Sequence, residues 1–148
     1  MTSAGSGNAT ADVIAAARWL RDTAGEGHTL ATDSGNATTF ATDGGQNILR
    51  WQAWFPFVAS DPSEILPFMA RTGVEYLVVD QEITERPPRY GHYFDEPEIP
   101  PDLDPGTPFP AALLDRLDGL TGLSRIYDSG RIRIYARTNL AGDAGGAP

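Results

Sequence analysis

The run Gly73-Val74-Glu75-Tyr76-Leu77-Val78-Val79-Asp80 decides how the rest of the chain is read. Tyr76 to Val79 are apolar and β-prone at consecutive positions. A strand with one wet face alternates apolar and polar residues, whereas an unbroken run belongs to a strand covered on both faces. Residues 74–80 are therefore predicted to form an inner strand, and an inner strand needs an apolar layer on each side of its sheet.

Upstream, Asp61-Pro62-Ser63-Glu64 combines a cap, proline at the first helical position and glutamate three residues after the cap, which marks a helix start. Pro67 implies a kink or a later start, and Gly73 ends the helix. Further back, Thr10 as cap, Asp12 in the first turn and Val13, Ala17, Leu20 and Ala24 on one face predict a helix over 11–24, closed by Gly25. A short strand over 28–33 ends in Asp33, and a Gly/Asn/Thr-rich connection follows over 34–46. The first half of 47–57 is read as a strand.

Downstream, residues 82–110 form a long proline-rich loop, of a kind more often functional or packed across a surface than idle. A short helix over 109–117 precedes two strands, 123–127 and 131–137, joined at Asp128-Ser129-Gly130 as a hairpin. On the second of these, Ile132, Ile134 and Ala136 face one way. Arg131, Arg133, Tyr135 and Arg137 face the other, a side that can meet phosphate or anionic lipid but reads more simply as the wet face of an edge hairpin. The predicted fold is α/β: a mixed sheet with flanking helices in a Rossmann-like three-layer arrangement, ending in an antiparallel hairpin. Residues 10–138 make one domain, between a disordered linker over 1–9 and a disordered tail over 139–148.

Composition narrows the chemistry. In 148 residues there is no cysteine, which excludes thiol catalysis, cysteine-ligated zinc and iron–sulfur clusters. All 11 basic residues are arginine, so no lysine is present to form a Schiff base or to complete a P-loop. A net charge of −9 disfavours nucleic acid as a partner. No stretch approaches the roughly 20 apolar residues of a membrane span, and no signal-peptide pattern opens the chain.

The candidate ligand-binding residues are Asp33, Asp80, Trp51, Trp54, Tyr90 and His92. Asp33 and Asp80 end predicted strands, at the edge where open α/β sheets hold ligands, and paired carboxylates there can grip sugar hydroxyls or a cation. Equally, an aspartate after a strand can simply start a turn or cap a helix. Trp51 and Trp54 belong to the densest aromatic cluster and offer either a stacking platform or core packing. Tyr90 and His92 lie in the long loop, where His92 is either a base or a packed anchor. Asp95, Glu96, Glu98, Asp102 and Asp104 lack the order of a calcium loop. No catalytic residue, metal site or cofactor is expected.

Arg18-Trp19-Leu20 on the opening helix, the run 73–80 and the closing Ile126-Tyr127-Asp128-Ser129-Gly130-Arg131-Ile132-Arg133-Ile134-Tyr135 resemble the soluble C-terminal domains of bacterial, actinobacterial-type, polytopic membrane glycosyltransferase-like proteins of the GT-C type. In that family, aspartates between membrane helices act on a lipid-phosphate-linked sugar, and no such segment is present. The resemblance implies an accessory, non-catalytic domain on the extracytoplasmic face of the membrane, partnered by the membrane-embedded part of its parent and by glycan, acceptor or lipid-linked sugar. The loop over 82–110 departs from the family pattern. Two other readings stay open: a free-standing carboxylate-dependent hydrolase, cytoplasmic if the chain is complete, and a self-associating interaction module.

Overall fold

A computed structural model of the chain describes residues 2–50, 52–85 and 108–138. Five strands form one mixed sheet in the order β2-β1-β3-β5-β4. They are β1 (Thr29–Ala31), β2 (Asn47–Ile48), β3 (Tyr76–Asp80), β4 (Leu123–Asp128) and β5 (Ile132–Arg137). β1 runs parallel to both β2 and β3, while β5 is antiparallel to β3 and to β4. The helices are α1 (Thr2–Ala24), α2 (Ser34–Thr42), α3 (Phe55–Val58), α4 (Ile65–Thr72) and α5 (Ala111–Asp115).

β3 is the covered inner strand that its sequence predicts. Leu77 and Val79 enter one apolar layer with Ile65 and Met69 of α4 and Leu114 of α5. Val78 enters the opposite layer with Val13, Ala17 and Leu20 of α1 and Phe40 of α2. The same alternation splits Leu30 from Ala31 on β1 and Ile134 from Tyr135 on β5. The architecture is α/β with helices on both faces and a C-terminal antiparallel strand pair.

Several local expectations change. α1 begins at Thr2, beyond the start that Thr10 suggests, so residues read as linker lie within it. Residues 34–46 are not an extended polar connection, because α2 occupies most of them. Asn, Thr and Gly are weak helix formers, and α2 exists because Asp33 caps it and Phe40 anchors it in the core. Pro67 lies in the first turn of α4, where its missing N–H is not needed, and Gly73 closes that helix with φ 80°.

The hairpin forms, but its arginine-bearing side is not a wet face. Tyr135 is fully buried, and its hydroxyl donates to Asp118 Oδ1 at 2.9 Å. Arg133 faces Asp115, Asp118 and Asp128 at 3.7–3.8 Å. Because β5 lies between β3 and β4, both of its sides are covered. The edge falls instead to β4, which carries a register irregularity between Arg125 and Tyr127.

Two polar clamps tie α1 to the parallel half of the sheet. Buried Gln46 donates to the carbonyls of Gly25 and Gly44 and accepts from the His28 N–H at 2.9 Å. Beside it, His28 Nδ1 lies 2.8 Å from Glu75 Oε1 and Nε2 lies 2.8 Å from the Ala24 carbonyl at the end of α1. Both ring nitrogens thus meet acceptors, an arrangement only the imidazolium satisfies fully. Partial burial opposes that charge, but the Ala24 carbonyl and Glu75 outweigh it and hold the His28 pKa above its usual value.

Two outcomes follow. Val78→Asp places an unpaired charge in the layer between β3 and α1, so the variant is expected to lack a cooperative thermal transition in circular dichroism. The raised pKa of His28 means that its contribution to stability is complete below about pH 6.5, the unfolded value, and is lost as pH rises through the folded value. Melting temperatures measured from pH 6 to 9 should fall more steeply for the native chain than for His28→Gln.

Candidate functional site

The strand order reverses direction beside β1. The chain leaves β1 through α2 to reach β2 on one side, then passes through α3 and α4 to reach β3 on the other. At such a reversal the connections leave two neighbouring strands in opposite directions, here β1 and β3, and the region beyond their carboxyl ends is where open α/β sheets tend to form a ligand crevice. Asp33 follows β1 and Asp80 ends β3, so the topology brings together two residues 47 positions apart.

Both carboxylates are buried, with 7% and 4% of their surfaces exposed, and one amide joins them. Asn36 Nδ2 donates at 2.9 Å to Asp33 Oδ1 and at 2.9 Å to Asp80 Oδ2. Asp33 also caps α2, its Oδ2 accepting from the Gly35 N–H at 3.1 Å, while the Thr32 hydroxyl lies 3.4 Å from Oδ1. Asp80 caps the next turn by accepting from the Glu82 N–H at 3.0 Å.

Arg131, at the hairpin turn, meets Asp80 with a two-pronged contact. Its Nε and Nη2 lie 3.0 Å from Oδ1 and 3.0 Å from Oδ2 respectively, and Nη2 is 2.7 Å from Glu82 Oε1. Fork-to-carboxylate pairs of this kind are strong and directional. Burial opposes the charge on Arg131, but Asp80 and Glu82 outweigh it and raise its pKa. Asp33 forms no ion pair among the described residues. Burial and the neighbouring Asp80 charge push its pKa up to about 6, although the Asn36 and Gly35 hydrogen bonds pull the other way.

The structure therefore unites Asp33 and Asp80 and adds three residues that sequence reasoning missed: Asn36, Arg131 and Glu82. Asn36 stands three residues after a strand-ending aspartate, a spacing that signals a capped helix when the connection is recognised as helical. Nothing local marks Arg131 as the partner of a residue 51 positions away.

Trp54 is not part of this network. It packs against the apolar layer beneath α4, with its ring centroid 6.0 Å from that of Phe55. Its indole N–H finds no acceptor among the described residues. Trp51, Tyr90, His92 and the acidic stretch 95–104 lie outside the described residues. Within them, no group of three or more His, Asp or Glu is placed to hold a metal ion, and no helix is long and apolar enough to cross a membrane.

A scan against protein-family models finds no match, and searches of curated proteins and of solved structures return no similar protein.

Chemically, the arrangement is a network in which the two carboxylates hold neighbouring elements together. Each carboxylate oxygen in the crevice already accepts at least one hydrogen bond, and those of Asp80 also share a guanidinium. Removing the cation while keeping the aspartate leaves a buried charge without its counterion. Arg131→Met is therefore expected to destabilise the fold by about 2–5 kcal/mol in urea denaturation.

Proposed function

We propose that the chain is an accessory, non-catalytic α/β domain of a membrane glycosyltransferase-like protein, held on the extracytoplasmic face, where it positions glycan or acceptor for the membrane-embedded part. The observation that carries the non-catalytic reading is that each oxygen of Asp33 and Asp80 already accepts a structural hydrogen bond, from Asn36, Gly35, Glu82 or Arg131. A carboxyl acting as general acid, base or nucleophile needs an oxygen free to face its substrate. Here the two carboxylates are spent on holding α2, β3 and the hairpin together.

The membrane context rests on the resemblance in α1, in the run 73–80 and in the hairpin. Glycan contact belongs to the rim of the crevice rather than to its floor. A sugar hydroxyl reaching Asp80 would have to displace a two-pronged arginine, which makes such binding weak.

The test has two arms. The purified chain is incubated with oligosaccharides and with a polyprenyl-phosphate sugar, and products are sought by mass spectrometry. No product is expected, and amide shifts on oligosaccharide titration should gather near Asp33, Trp51 and Asp80 with millimolar affinity. Turnover that disappears in Asp80→Asn would replace this reading with a hydrolase or transferase. The genomic reading frame provides the second arm. Contiguous hydrophobic spans preceding residue 1 are expected, and a frame that encodes this chain alone would overturn the membrane assignment.

A further inference from the structure

We propose that the Asn36-bridged pair of Asp33 and Asp80 works as a proton-operated latch across the crevice: Asp33 takes up one proton in mildly acidic solution, which tightens the joint between β1, α2 and β3.

The geometry carries the argument. Both hydrogens of one amide nitrogen are used, one on each carboxylate, in a region from which water is largely excluded. Facing this centre are Asp80 at the end of β3, Glu82 in the turn after it, Arg131 from the hairpin turn and, acting on Arg131 from α1, Asp12. One guanidinium thus serves several carboxylates, and its prongs are committed to Asp80 and Glu82. Asp33 is the member of the pair with no ion pair among the described residues, so the excess negative charge falls on it.

In a medium of low effective dielectric, two carboxylates joined by a single amide repel each other strongly when both are ionised. A proton from solvent on one Asp33 oxygen removes that repulsion. The hydrogen bonds from Asn36 and Gly35 favour the ionised form and weaken on protonation, but relief from burial of the charge and from the Asp80 repulsion outweighs that loss. The shift of Asp33 to about 6 agrees with this order of events.

The sign of the effect is opposite to that of a salt-bridged aspartate. Because the folded pKa lies above the unfolded value of about 3.9, the ionised group burdens the folded state at neutral pH. The burden is relieved as pH falls through about 6. Between about pH 6 and pH 4 the contribution of Asp33 alone lowers the unfolding constant by about tenfold per pH unit. The latch is therefore loose in neutral solution and tight in mild acid.

Global stability would mix this effect with the titration of His28, so a site-resolved measurement is required. The carboxyl carbon of Asp33 and the side-chain amide protons of Asn36 are followed by NMR in the isotope-labelled native chain from pH 8 to pH 3.5. The expected result is a shared midpoint near pH 6, with exchange of the β1 and β3 backbone amides, corrected for intrinsic rate, slower at pH 5 than at pH 7.5. An Asp33 midpoint at or below about 4, the ordinary range for the side chain, overturns the proposal. So does an Asn36 amide that does not follow Asp33. In Asp33→Asn the Asn36 transition near pH 6 should vanish, and its persistence would assign the proton to another group and overturn the latch. If that variant does not fold, the native titration decides alone.

Discussion

Everything in this fold answers to the demand of β3 for apolar cover on both faces. Leu77, Val78 and Val79, buried on alternate faces, require α1 and α2 above the sheet and α3, α4 and α5 below it. They also require a strand on each flank, and the chain provides β1 on one side and β5 on the other. That placement sets β1 between β2 and β3 and reverses the winding. The meeting of Asp33 and Asp80 is thus a consequence of how β3 is buried. Two like charges in a dry place then need mediators, and Asn36 and Arg131 fill that role.

Buried ion pairs are poor sources of net stability, because desolvation cancels much of their attraction. Their better-attested use is to select one arrangement among several. The fork of Arg131 on Asp80 sits one residue beyond the pairing of Asp80 with Ile132. A slip of β5 by one residue would turn Ile132 and Ile134 out of their layer and carry the guanidinium away from its carboxylate. Hydrophobic alternation and electrostatics therefore specify the same register, a consistency across levels that favours a single native state.

What could be read from the residues alone tracks how local each signal is. β3 and the hairpin are legible because a continuous apolar run and an Asp-Ser-Gly turn carry their meaning within a few positions. The signal at Asp61 is legible for the same reason, with Asp61 accepting from the Ser63 N–H to cap the 3-10 turn Pro62–Glu64 that leads into α4. α2 is hidden because its Gly, Asn and Thr residues have low helix propensity, so a cap at Asp33 and the burial of Phe40 override composition. Asp33 proves to be both a cap and a crevice residue, two roles that looked like alternatives in the sequence. The burial of Tyr135 could not be read from its alternation with arginines, since the pattern shows that two faces differ without showing which is wet. The pairing of Arg131 with Asp80 depends wholly on the return of the chain to the sheet centre.

That return bears on the order in which the chain can fold as it is synthesised. β5 is the last described strand to leave the ribosome, yet it lies inside the sheet, between β3 and β4. Until it arrives, the open flank of β3 exposes unpaired backbone groups, and Asp80 stands without its guanidinium. A nascent chain halted before residue 131 therefore holds most of the apolar residues of both layers but cannot close the sheet at its middle. It presents a sticky strand edge to whatever is nearby. One short segment thus both closes the sheet at its middle and brings Asp80 its counterion.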